Sequence, residues 1–163
     1  MEIFELKEKE SISENVKINR IYIQFQKILK ELRKKELPES IVESINQRIE
    51  ELNSISHRNK ELKKLFKQNQ AKIIKLLEKE LKIVPKYYYR NLWLTLGVFV
   101  FGFPIGLLIG AALGLTIMDN FSYFGVGISM GISIGMCIGI VLGSGMDKKA
   151  LTEGRQLDVE IKY

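Results

Sequence analysis

Two long uncharged segments in the second half of the chain constrain the fold more than any other feature. They cover residues 91–118 and 121–146, and Asp119 is the only charged residue between Arg90 and Asp147. A helix needs about 20 apolar residues to cross about 30 Å of hydrocarbon, so each segment is long enough to span a membrane. Because a backbone in lipid must satisfy its own hydrogen bonds, we expect both segments to be helical.

The short connection and its flanks predict the topology of these spans. Only Asp119 and Asn120 separate the two segments, which forces an antiparallel hairpin. Basic residues flank the hairpin at its two outer ends and are absent from the turn. The positive-inside rule therefore predicts that both termini are cytoplasmic. Pro104 predicts a kink in the first span, because its ring frees the carbonyl of Val100.

The glycines of both spans recur every four residues. Residues four apart lie on one helix face, and a glycine face lets another backbone approach closely. We therefore predict tight helix packing of the glycine-zipper type. The predicted packing residues are Gly102, Gly106, Gly110, Gly114, Gly127, Gly131, Gly135, Gly139 and Gly143.

A second series of small residues follows the second span, displaced about 200° around its axis. It consists of Gly125, Ser129, Ser133 and Cys137. One partner helix can use only one face, so this series predicts a second interface with another copy, or the lining of a pore. The alternative is that the serine hydroxyls bond back to carbonyls of their own helix and face lipid.

Three amphipathic stripes predict that residues 1–86 are a cytoplasmic helical domain. The first predicted helix opens with a capping box at Ser11–Glu14. The second runs from about residue 38 to 53, and the third from about 57 to 84. The expected fold class is all-α: a helical bundle or coiled coil, followed by a transmembrane hairpin at 87–146 and a cytoplasmic tail at 147–163.

The third predicted helix carries a row of lysines. Contact with anionic lipid head groups would contribute about 1 kcal/mol per basic residue near the surface. A solvated face with the usual positive-inside bias is the simpler interpretation, and nucleic acid binding is the weakest one. The candidate lipid contacts are Lys64, Lys67, Lys75, Lys79, Lys82 and Lys86.

The tail ends in strict alternation of apolar and polar residues over 157–163. This pattern predicts a short strand with one buried face. Met1–Leu6 and the tail of a neighbouring copy are the two expected partners, and disorder is the alternative.

The residues that carry catalysis are scarce. The chain has one histidine, His57, with no partner histidine or cysteine beside it in the sequence, so neither a metal site nor a nucleophile–base pair can be assembled around it. The single cysteine, Cys137, lies in the apolar region. No glycine precedes Gly97, so residues 1–96 contain no phosphate-binding glycine loop. We expect no enzymatic activity, no cofactor and no metal.

Two resemblances follow from these motifs. The glycine-repeat hairpin is similar to the rotor-ring subunit of ATP synthases, but the stretch Gly131–Gly139 lacks the carboxylate on which that family depends. The resemblance implies close packing without proton transport. From Val84–Trp93 through the repeats to Met146–Ala150, the chain also resembles small bacterial two-span membrane proteins, which implies a location in the bacterial inner membrane.

These observations support three hypotheses about function. The first is a non-enzymatic membrane protein that self-associates through its glycine faces as an oligomeric scaffold or pore. The second is an accessory or anchor subunit that binds a cytosolic or membrane partner. The third is a membrane-disrupting toxin or defence effector. Membrane lipids, other copies of the chain and a cytosolic protein are the expected partners.

Overall fold

The chain forms two compact units. The computed structural model of the 163-residue protein describes residues 2–7, 15–54, 59–116 and 122–161. One unit combines Met1–Lys86 with Arg155–Tyr163, and the other is Tyr87–Gly154. The prediction of a mainly helical chain is confirmed.

Three helices build most of the first unit: α1 (Val16–Leu32), α2 (Glu39–Ser54) and α3 (Asn59–Leu81). The side chain of Asn15 caps α1 by accepting hydrogen bonds from the amides of Lys17 and Ile18, at 3.1 and 3.4 Å. The predicted capping box at Ser11–Glu14 lies outside the described residues.

Aromatic side chains form the centre of this unit. Phe25 of α1 and Phe66 of α3 are almost fully buried, and their ring centroids lie 6.3 Å apart in edge-to-face geometry. Tyr22 packs against the same Phe66 ring at 6.1 Å. Such pairs contribute about 0.5–1.5 kcal/mol beyond their burial. The amphipathic stripes of the sequence therefore face a common core.

Helix α3 ends at Leu81, three residues before the predicted end at Val84. Lys82 adopts a left-handed conformation, with φ of 55°, which stops the helix. The following residues form strand β1 (Val84–Lys86) instead.

The tail forms strand β2 (Gln156–Glu160), which pairs in parallel with β1. The predicted strand is therefore present, and its partner within the chain is β1 rather than the expected Met1–Leu6. Pairing with another copy's tail stays a prediction. Leu157 and Val159 are buried and Asp158 is exposed, as the alternation requires. The tail thus completes the amino-terminal unit.

An ion pair joins the two strands. Lys86 donates a hydrogen bond to the carboxylate of Asp158. This bond, with the Lys86 charge, lowers the pKa of Asp158 from its usual 3.8. Because the pKa of Asp158 is lower in the folded state, its ionised carboxylate stabilises the fold at pH values above the pKa of the unfolded chain. This contribution is lost as the pH falls through the pKa of the folded state. The pair is solvent-exposed, so we expect its effect at neutral pH to be small.

The second unit is an antiparallel pair of long helices. Its first half comprises α4 (Tyr88–Leu96), a π-helical stretch (Gly97–Gly102) and α5 (Phe103–Thr116). Its second half is α6 (Ser122–Thr152), which continues beyond the predicted end of the span at residue 146. Gly154, with φ of 67°, ends this helix.

The π-helical stretch lies directly before Pro104. The amide of Phe103 donates to the carbonyl of Val98, five residues earlier, instead of four. A wider turn here moves the preceding backbone away from the proline ring, which cannot continue the α-helical ladder. The distortion that the sequence predicted as a kink takes the form of a π-helical turn.

Candidate functional site

Two helices of the second unit are long and apolar enough to cross a membrane. They cover Tyr88–Gly114 and Phe124–Thr152, with mean hydropathies of 2.3 and 2.1 in their most apolar windows. Only 22% of each window is buried within the protein. A core helix of a soluble protein would be mostly buried. The outer face of this hairpin instead exposes large apolar side chains, among them Phe99, Leu108 and Val141.

The repeated glycines of the two helices lie against each other. A Cβ atom added at Gly102 would lie 3.1 Å from the carbonyl oxygen of Gly131, and one at Gly106 would lie 2.8 Å from the Cα of Ile128. At Gly110 the same atom would lie 2.9 Å from the Cα of Phe124. Distances under about 3 Å have no room for a methyl group. These backbones therefore touch with no side chain between them.

The glycines of α6 are the more tightly enclosed set. A Cβ at Gly135 would lie 2.6 Å from the nitrogen of Gly102, and one at Gly143 would lie 2.5 Å from the Cα of Arg90. Added Cβ atoms at Gly127, Gly131 and Gly139 would also collide with backbone atoms of the opposite helix. Gly114 is the exception among the predicted packing residues, since its nearest neighbour is the Phe124 ring at 3.7 Å.

Gly97 belongs to the same interface, although the four-residue repeat did not include it. A Cβ there would collide with the carbonyl of Gly135 and lie 3.0 Å from the Cα of Gly139. Gly97 precedes Gly102 by five residues, a spacing that would rotate it off the face of a regular α-helix. The π-helical turn between them absorbs the extra residue. In the sequence, the five-residue gap between Gly97 and Gly102, close to Pro104, was the signal that could have identified Gly97 as part of the interface.

Deletion of Val100 combined with Pro104→Ala tests whether the π-helical turn serves this register, because the alanine removes the ring that a regular α-helix does not accommodate. The deletion shortens the Gly97–Gly102 gap to four residues, so an ordinary α-helix keeps both glycines facing α6. We expect thermal stability in detergent close to that of a chain that carries Pro104→Ala alone. Deletion of Val141 is the matched control, because this residue is also exposed. It should rotate Gly143 by about 100° away from the interface and be strongly destabilising. Equal losses in both variants would refute this role for the π-helical turn.

The second series of small residues faces away from the interface. A Cβ at Gly125 would meet nothing within 4 Å, and Cys137 is exposed with a free thiol. Ser129 and Ser133 donate to the carbonyls of Gly125 and Ser129, at 2.9 and 3.0 Å. Both hydroxyls are therefore bonded within their own helix. The second interface or pore lining stays a prediction.

A buried carboxylate joins the two helices at the base of the hairpin. Asp147 of α6 is 7% exposed, and its two oxygens accept hydrogen bonds from the amides of Tyr89 and Arg90, each at 3.0 Å. Helix α4 has no side-chain cap of its own at Tyr87 and no acidic residue in its first turn. Asp147 therefore supplies the missing acceptors and a negative charge at the helix amino terminus. In the sequence, Asp147 marks only the end of the second apolar segment.

The candidate lipid-binding lysines are mostly solvent-exposed. Lys64, Lys75, Lys79 and Lys82 are exposed, whereas Lys67 and Lys86 are partly buried. Acidic neighbours accompany three of them: Lys79 lies 3.6 Å from Glu80, Lys82 lies 3.6 Å from Glu78, and Lys86 pairs with Asp158. These ion pairs reduce the positive charge available to a lipid surface.

No family model, curated protein or solved structure matches the chain. Within the described ranges, no group of three or more His, Cys, Asp or Glu side chains is arranged to hold a metal ion. The candidate functional site is therefore the hairpin interface itself, with its glycine faces and its Asp147 cap.

Proposed function

We propose that the chain is a non-enzymatic integral membrane protein whose hairpin anchors a helical unit to the membrane, where that unit binds a protein partner. The observation that carries this proposal is the closure of the two glycine faces against each other within one chain. A hairpin that is complete by itself, with an apolar outer surface, suits an anchor. Close backbone packing of this kind supports the proposal that the repeats form a glycine zipper within one chain.

The same observation argues against the scaffold hypothesis in its original form. The glycines of the four-residue repeats, apart from Gly114, are enclosed within the hairpin, so they are not available to bind another copy. Self-association would instead use the outer face of α6, where Gly125 and Cys137 are exposed. An oligomer built through that face is the second candidate. A pore is less favoured, because the hydroxyls of Ser129 and Ser133 are already bonded within α6.

The β1–β2 pair supports a topology with both flanks of the hairpin on one side. Strand β1 precedes the hairpin, β2 follows it, and both belong to one folded unit. Two strands that are hydrogen-bonded to each other cannot lie on opposite sides of a membrane. The basic residues at both flanks favour the cytoplasmic side, and the resemblance to small bacterial membrane proteins favours the inner membrane.

Cysteine labelling in intact cells tests this topology. With Cys137→Ser as background, Asn120→Cys should react with an impermeant thiol reagent added outside. Glu2→Cys and Glu153→Cys should react only after the cells are opened. Labelling of Glu2→Cys or Glu153→Cys in intact cells would overturn the proposed orientation.

The mass of the detergent-extracted particle separates the two candidates. An anchor purified alone should have the mass of one 18.8 kDa chain plus detergent. A stable multiple of that mass would favour the oligomer. In that case Ser129→Leu and Ser133→Leu should reduce the mass, and an unchanged multiple would exclude the outer face of α6 as the interface.

A further inference from the structure

Residues 2–7 lie between α1 and α2 without forming a helix or a strand. Two of their side chains, Ile3 and Leu6, are each 6% exposed. The other four side chains are exposed. This segment is therefore held by its backbone and by two apolar side chains three residues apart.

Two asparagines of α2 bind one edge of the segment. The Asn46 side chain accepts a hydrogen bond from the Phe4 amide at 2.8 Å and donates to the Glu2 carbonyl at 2.9 Å. Asn53 repeats this pair of bonds three residues later, with the Lys7 amide at 2.9 Å and the Glu5 carbonyl at 3.0 Å. Each asparagine thus offers an acceptor and a donor, as a neighbouring strand would.

Side chains from α1 and its carboxyl end bind the other edge. Arg33 donates to the carbonyls of Ile3 and Phe4, at 3.2 and 2.9 Å. The buried hydroxyl of Tyr22 donates to the Leu6 carbonyl at 3.0 Å and accepts from Gln26 at 2.7 Å. The segment is therefore bound from both edges through its main chain, and the Arg33 guanidinium also lies 3.7 Å from the exposed carboxylate of Glu5.

The spacing of the asparagines matches the rise of an extended chain. Asn46 and Asn53 are two helical turns apart, about 10.5 Å along the axis. Three residues of extended chain cover about 10 Å. The second asparagine therefore meets the same pair of backbone groups as the first, three residues further on. Asn46 is only 4% exposed, so its side-chain amide needs these two hydrogen bonds, because an unpaired buried amide costs about 1–3 kcal/mol.

We propose that this cleft is a binding site for an extended peptide with apolar residues three apart, and that it accepts Glu2–Lys7 of a second copy in place of the chain's own segment. Side chains that bind a main chain do not distinguish which molecule the main chain belongs to. A second copy supplies the fitting sequence, and exchange of an identical segment is a low-cost route to association. The segment in cis competes for the site, because a short link holds it at about millimolar effective concentration.

The test uses the full chain in detergent and a fluorescein-labelled peptide with the sequence of residues 1–7. Ile3→Asp combined with Leu6→Asp should release the resident segment and leave the binding side chains in place. We expect this variant to bind the peptide at least tenfold more tightly than the unaltered chain, measured by fluorescence anisotropy. Adding Asn46→Leu and Asn53→Leu should reverse the gain at least tenfold.

A peptide methylated at the Phe4 and Lys7 amide nitrogens is the control for backbone recognition. It keeps every side chain and lacks the two N–H donors that the asparagines bind. Equal binding of the methylated peptide would overturn the proposal, since apolar contact alone would then explain the affinity. The proposal would also be overturned if the variant with Ile3→Asp and Leu6→Asp, the emptied variant, kept its helical circular dichroism and bound the peptide no more tightly than the unaltered chain.

If the emptied variant fails to fold, a protease site placed within residues 8–14 of the otherwise unaltered chain replaces it. After cleavage, the severed segment should stay bound and exchange for excess labelled peptide. A cleaved, folded protein that takes up no label at about 1 mM peptide would overturn the proposal, because that concentration matches the advantage of the link in cis.

Discussion

Gly131→Ala is expected to be among the most destabilising single substitutions in the hairpin. The added methyl would collide with backbone atoms of both Gly102 and Gly106. Neither neighbour can move aside like a flexible side chain, so the helices must separate along their length. Forcing one methyl into a closed contact costs about 1–3 kcal/mol, and the loss of adjacent backbone contacts adds to it. The measurement is thermal unfolding in detergent, with Gly131→Leu expected to be worse.

Gly125→Ala and Gly145→Ala are the matched controls on the same helix. An added Cβ at either position meets nothing within 4 Å. Alanine also favours a helix over glycine, by about 0.5–1 kcal/mol in water. We therefore expect neutral or slightly stabilising effects. Comparable losses at residues 125 and 131 would mean that the glycines matter for something other than helix contact.

Asp147→Ala should have the largest effect of any charge removal among the described residues. It leaves the buried amide of Tyr89 without its acceptor, at about 1–3 kcal/mol for an unsatisfied buried group, and the partly buried amide of Arg90 adds a smaller loss. Asp147→Asn keeps one carbonyl oxygen and loses the charge, so its loss should be intermediate. Hydrogen exchange at these two amides should accelerate in both variants, more strongly in Asp147→Ala.

Asp158→Asn is the control for the loss of a carboxylate. Asp158 is exposed on β2, and its ion pair with Lys86 is open to solvent. At neutral pH we expect little change in unfolding and none in exchange at Tyr89 and Arg90. If Asp147→Ala were as mild as Asp158→Asn, the capping role of Asp147 would be wrong.

The elements that could be predicted from the sequence are those whose residue pattern repeats along the chain. Apolar runs of about 28 and 26 residues predict helices long enough to cross a membrane, because hydrocarbon thickness sets that length. Amphipathic stripes predicted the three helices of the amino-terminal unit, since burial on one face requires helical spacing. The alternation at 157–163 predicted a strand for the same reason.

Features that depend on a residue far away in the chain could not be predicted from the sequence. The partner of β2 is β1, which lies on the far side of the hairpin in the chain, and three residues such as Val84–Lys86 carry no strand pattern of their own. Asp147 looked like the end of a span because its role depends on amides 57 and 58 residues away. The glycine repeats predicted close packing, but periodicity alone does not state whether the opposing backbone belongs to the same chain.

Proton contacts between glycines test the central claim most directly. In chains labelled with ¹³C at glycine, the Hα protons of Gly131 and Gly106 should show a nuclear Overhauser effect, because their backbones touch. A sample that mixes labelled and unlabelled chains, recorded with an interchain filter, separates contacts within a chain from contacts between copies. We predict that the contact is strong in the sample in which every chain is labelled, and that it is absent from the filtered spectrum of the mixed sample. Its appearance in the filtered spectrum would show that the glycine faces join different copies, and would contradict the self-contained hairpin.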